Sequence, residues 1–280
     1  MQLHEEERDA RSVPAQFATT PGCHGAATAF GAAVPIAILG GLTGVGGAGF
    51  RLPFLMGPLG YGARRAVPLN LAVGLVTIAA SLAARSRSLS LDPVAPYAPV
   101  LLALTAGAVV AALAGTGLFH RLSDRAVERT VLIGLFVIGC ALIVEGFLPT
   151  ATAAPLPVAI WLPAGVLFGL VIGLVSSFGV AGGEVIIPTL IFAYGIDVKT
   201  AGTASLLVSV PGVLAGIARY ARRGAYDRAA VVATVVPMGA GSIVGAVIGG
   251  MLVGVVAASV LKLVLGVVII VSTVRMARQP

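Results

Sequence analysis

The stretch Gly44-Val45-Gly46-Gly47-Ala48-Gly49-Phe50-Arg51-Leu52-Pro53 is a glycine-rich break set inside an apolar segment. It returns 135 residues later as Gly179-Val180-Ala181-Gly182-Gly183-Glu184-Val185-Ile186-Ile187-Pro188. The offset then holds without a gap. Leu55 pairs with Leu190, Ala66 with Ala201, Leu71 with Leu206, Val73 with Val208, Ala80 with Ala215, Arg87 with Arg222 and Asp92 with Asp227. The chain therefore reads as two related halves, each with a broken apolar segment.

Composition sets the solvent. The 280 residues are 58% hydrophobic and only 10% charged, against about a quarter charged in a soluble domain. Mean hydropathy is +1.04. Apolar runs at 96–118, 229–254 and 257–274 approach the ~20 residues that cross a bilayer. The net charge of +7 does not point to nucleic acid, because the basic residues fall in short loops between spans, where the positive-inside rule places them. Cys23 and Cys140 make no disulfide framework. The acidic start His4-Glu5-Glu6-Glu7-Arg8-Asp9 is unlike the basic head of a signal peptide. Residues 1–25 are expected to be a disordered cytoplasmic tail.

The apolar segments run at 28–46, 48–59, 66–85, 96–118 and 126–147, and then at 158–178, 183–194, 200–218, 229–254 and 257–276. Those at 48–59 and 183–194 are too short to span at 1.5 Å per residue. Each follows a glycine break, so each is expected to turn its helix back on itself. Three spans then follow, an odd number, which inverts the second half relative to the first. The predicted fold is an all-α polytopic membrane protein of two inverted repeats, 26–150 and 151–280. Each repeat is a glycine-broken helical hairpin followed by three transmembrane helices. With both termini inside, 13 basic residues lie inside, and Arg85, Arg87 and Lys199 lie in outside loops. The rival parallel arrangement splits them 10 to 6, so charge bias favours inversion. Small residues spaced by four, Gly107-Ala111-Gly115 and Gly241-Gly245-Gly249, are read as helix-packing stripes.

A helix broken at membrane depth leaves amides that must face protein, water or a ligand. The second helix of each hairpin begins near Gly47 or Gly183, and a helix N-terminus attracts anions. Two broken helices in opposed copies match how secondary transporters build a site near the midplane. The expected substrate-binding residues are Gly46, Gly47, Gly49, Arg51, Asn70, Gly182, Gly183, Glu184 and Ser205. Arg51 offers a planar donor fork to an oxyanion. Glu184 would either pair with Arg51 or take up a proton. Asn70 and Ser205 occupy equivalent positions in the two halves. Thr77, Ser176, Ser177, Thr203 and Ser209 add polar groups nearby. Glu145 and Lys262 are expected to reach the interface, and Pro211 to kink its span.

No catalytic, cofactor or metal-ligand pattern is visible, and neither break carries a Walker A ending. The spans hold no histidine, which argues against an intramembrane enzyme. The expected partners are a small anion, the lipid bilayer and a coupling proton or sodium ion, with no nucleic acid. A homo-oligomer is compatible with the sequence.

The glycine break ending in proline, the polar helix Ala201-to-Ser205, and Arg219-Tyr220-Ala221-Arg222-Arg223-Gly224-Ala225-Tyr226-Asp227 together resemble the TauE/SafE family of sulfite and organosulfonate exporters over roughly residues 28–275. The second copy is the closer one. The first departs by placing Arg51 at an apolar position and Arg85-Ser86-Arg87-Ser88 in the basic loop. The resemblance implies a multi-pass inner-membrane transporter that moves small sulfur-containing anions outward. An anion channel, or a permease for another small anion such as a carboxylate, is the alternative.

Overall fold

The computed structural model describes residues 23–90, 92–118, 133, 136–137, 139–144, 156–177 and 182–277. The predicted tail 1–22, Glu145 and the second break at Gly179–Ala181 lie outside the described residues. The regular structure among the described residues is all helical. In chain order it comprises α1 (Cys23–Thr43), α2 (Ala48–Met56), α3 (Ala63–Ser88), α4 (Ala98–Leu118), α5 (Trp161–Ser177), α6 (Gly182–Tyr194), α7 (Val198–Arg222), α8 (Val236–Val255) and α9 (Ala258–Ala277). A 3-10 turn, Asp92–Tyr97, leads into α4, and a π-helical turn, Val231–Val235, leads into α8. Among the described residues, six stretches are long and apolar enough to cross a membrane: Gly25–Thr43, Arg65–Ser88, Asp92–Ala111, Val198–Arg222, Arg228–Val255 and Ala258–Arg275. The chain is an all-α, polytopic membrane protein. Its helix α1 already begins at Cys23, inside the segment expected to be a tail.

Glycines set how closely the helices approach. Gly245 and Gly249 of α8 lie directly on the carbonyls of Val34 and Ile38 in α1, and Gly241 sits on Phe30 one turn earlier. Both sequences advance together, so α1 and α8 run in the same direction. Helices α4 and α5 repeat the pattern, with Gly169 on the carbonyl of Leu104 and Gly173 on that of Ala108. With hydrocarbon on the outer faces there is no hydrophobic drive between helices, and close packing of small residues supplies the attraction instead. The stripe Gly241-Gly245-Gly249 is such a seam.

Each short helix doubles back. Leu55, Leu59 and Tyr61, at and beyond the end of α2, share a buried cluster with Ala29 and Ala33 near the start of α1 and with Ala66 and Leu69 near the start of α3. At the end of α6, the Tyr194 hydroxyl donates to the carbonyl of Trp161 at the start of α5 (3.1 Å), and Leu156 N–H donates to the Ala193 carbonyl. The Tyr194 ring also packs edge-on against Trp161 and Phe168.

One expectation is corrected. Arg85 does not sit in a loop: α3 runs on to Ser88, and Arg85 is fully buried. Its guanidinium donates to the carbonyls of Gly41 (3.0 Å) and Leu42 (2.9 Å) at the end of α1, and to Lys199 O (3.2 Å) and Thr203 Oγ1 (2.9 Å) in the first turns of α7. A cation at the negative end of the interrupted helix α1 is favourable, which draws it inward. The end of α3 therefore lies beside the end of α1 and the start of α7.

Candidate functional site

The first break is a tight left-handed loop. Gly44, Gly46 and Gly47 have φ of 89°, 80° and 75°, a region that only glycine enters at little cost. The loop drops the chain from the end of α1 into the first turn of α2, whose N-cap, Gly47, has no side chain to satisfy its amides. Those amides are unpaired by helix geometry.

Arg51 folds back over this loop and is fully buried. Its Nη2 donates to the Gly46 carbonyl (3.0 Å) and to Thr77 Oγ1 (2.9 Å), and its Nη1 to the carbonyl and Oδ1 of Asn70 (both 3.4 Å). Asn70 in turn donates to the Ala48 carbonyl (3.3 Å). Arg51 Nε has no partner among the described residues. Helix α3 thus holds the guanidinium against the mouth of α2.

The start of α6 comes to the same place. Gly183 is buried with its Cα against the backbone of Val45, where a Cβ would sit 2.8 Å from Val45 Cα and from its carbonyl. Gly44 lies on the carbonyl of Gly202 in α7. Glu184, fully buried, presses Oε1 against Gly49, and that same oxygen accepts from Ser272 Oγ of α9 at 2.8 Å. Glu184 Oε2 has no partner among the described residues. The first turns of α2 and α6, 135 residues apart in sequence, therefore meet directly.

Of the expected site residues, Gly46, Gly47, Arg51 and Asn70 form one cluster, and Gly49, Gly183 and Glu184 form a second that touches it through α2. Gly182 is half-buried at the start of α6. Ser205 is buried, with its hydroxyl unpartnered among the described residues, and makes no described contact with either cluster. No ion pair joins Arg51 to Glu184 among the described residues: Arg51 is held by Asn70, Thr77 and Gly46, and Glu184 by Ser272. One contributor was missed. Ser272 stands in the last span beside Thr273, a polar pair in an apolar run that could have flagged it. Thr203, expected among the polar groups near the site, instead bonds to Arg85 and Lys199. Lys262 is half-buried on α9.

Burying an ion without a counter-charge costs several kcal/mol. Arg51 has polar partners but, among the described residues, no carboxylate within ion-pair distance. Among the described residues, the cluster sets a buried guanidinium beside the uncapped first turn of α2.

A family model described as "Sulfite exporter TauE/SafE" matches residues 29–276. No curated protein and no solved structure matches the chain.

Proposed function

Because the chain belongs to the TauE/SafE sulfite exporter family, we propose that this transport protein is a secondary transporter exporting a small sulfur-containing anion, such as sulfite or an organosulfonate. The observation that carries this reading is the Arg51 guanidinium, fully buried over the uncapped start of α2. An oxyanion there would accept from Arg51 and from the first-turn amides, the pairing that helix N-termini and guanidinium groups favour. Gly46, Gly47 and Gly49 bring no side chain between ligand and backbone. Asn70 orients the arginine.

The proposed architecture is two inverted repeats, 26–150 and 151–280, alternating access around the paired hairpins. Helix directions support it. Helices α1 and α3 end together at Arg85, where α7 begins, so α3 and its repeat-equivalent α7 run oppositely. Helix α1 runs with α8, and α4 with α5, which is one reciprocal contact made twice. We place both termini in the cytoplasm and the protein in the inner membrane. Burial of Arg85 removes one of the three charges that opposed this orientation, leaving Arg87 and Lys199.

The test is thermal stabilisation of the purified protein against sulfite, sulfonates, carboxylates and neutral analogues at fixed ionic strength, since any ligand of the native state raises apparent stability. Stabilisation by sulfur oxyanions and not by neutral analogues is expected. A response to carboxylates alone would reassign the substrate. Flux that fails to saturate would make the protein a channel.

A further inference from the structure

Glu184 is the only buried carboxylate among the described residues; Asp92, Asp197 and Asp227 are exposed. An ionised carboxylate can accept on both oxygens, and a protonated one offers a donor as well. Here Oε1 accepts from Ser272 and Oε2 is left with no partner among the described residues. Pressed against Gly49, the group stands two residues along α2 from Arg51. An anion on the first turn of α2 would meet it at close range. Charged, Glu184 repels that anion. Neutral, with its proton on Oε2, it gives the anion another donor.

The other titratable groups on the packed elements are accounted for. Arg51 on α2 is turned toward Asn70 and Thr77. On α9, Arg275 lies over the Phe50 ring, 5.9 Å from its centre, and Lys262 is ten residues from Ser272. On α7, Lys199 donates to the Gly254 carbonyl at one end of the helix, while Arg219, Tyr220 and Arg222 lie at the other. Tyr194 closes the far end of α6. Helix α5 carries none.

We infer that the anion is bound together with one proton, taken from water by the Glu184 carboxylate and held on Oε2 as a donor to the anion. No other bond is made or broken, and release returns the proton to water. This rests on the anion site proposed above and names the coupling ion for it.

The experiment is titration calorimetry of the full chain with methanesulfonate and sulfoacetate, whose sulfonate groups stay ionised through the working pH range. Buffers of different ionisation enthalpy report proton uptake. The wild type should take up close to one proton per anion at alkaline pH, with affinity falling there about tenfold per pH unit by linkage. Glu184→Gln should bind with no proton uptake and a flat pH profile. Should that variant not fold, Ser272→Ala removes the donor to Oε1 and should move the midpoint of the profile; an unmoved midpoint overturns the inference. Binding by the wild type without proton uptake, or uptake that persists in Glu184→Gln, overturns it too and leaves the anion site standing. If neither sulfonate nor sulfite binds at any pH, both readings fall.

Discussion

Arg51 and Glu184 were legible as single residues because a charge inside an apolar segment is costly and so has a reason to be there. Their partners were not, since nothing local in the sequence connects residue 51 with 77 or 184 with 272. Arg51→Ala should weaken anion binding at least about tenfold, roughly 1.4 kcal/mol, if the guanidinium touches the ligand. Arg51→Lys should recover only part of this, because an ammonium lacks the planar fork that reaches Asn70, Thr77 and Gly46 and leaves Nε for a ligand. Binding isotherms check both. Unchanged affinity with a lowered melting temperature would assign Arg51 to structure alone.

Elements were read well where length and glycine decide them. The expected short segments, 48–59 and 183–194, are the helices Ala48–Met56 and Gly182–Tyr194. The 3-10 turn before α4 and the extension of α3 to Ser88 were not foreseen, because Arg-Ser-Arg-Ser reads as a loop until a buried acceptor set is known for its first arginine. The start of α6 touches the first break through glycine, which gives a paired prediction. Gly183→Ala drives a methyl into the Val45 backbone and should separate α6 from the first break, costing about 1–3 kcal/mol and abolishing anion binding. Gly31→Ala meets nothing within 4 Å on the exposed face of α1. It should be neutral or stabilise by about 0.5–1 kcal/mol, with binding intact. Melting temperatures and anion titrations of the two variants separate contact from simple glycine replacement.

Across the molecule, polar clasps add to the glycine seam between α1 and α8. Arg85 fastens the end of α1 to the start of α7, Ser88 Oγ donates to Gly250 O (2.7 Å), and Tyr61 and Thr234 share a hydrogen bond of 2.6 Å. Arg85→Ala takes the side-chain donor from the Gly41 and Leu42 carbonyls, while Thr203 Oγ1 still donates to Lys199 O (3.0 Å), and should cost about 2–4 kcal/mol, measured by unfolding in detergent. Inversion can be tested by impermeant thiol labelling in a background lacking Cys23 and Cys140, using single cysteines at the exposed positions Gly60, Ser90, Gly195 and Gly224. The inverted arrangement puts Gly60 with Gly224 on one side and Ser90 with Gly195 on the other. Co-labelling of Gly60 with Gly195 would support parallel repeats and overturn it.

The sequence by itself determined the membrane class, the duplication, the short helices after each break and the two charged residues worth asking about. All of these rest on local quantities: apolar length against bilayer thickness, glycine against helix continuity, and the cost of a charge in hydrocarbon. Only the tertiary structure decided that the start of α6 meets the first break, that Arg51 and Glu184 have separate partners, and that Arg85 is a buried clasp. In a lipid-facing helix nearly every face is apolar, so periodicity does not mark the side that packs. The partners lie many turns away in sequence and are chosen by where small residues let backbones close together.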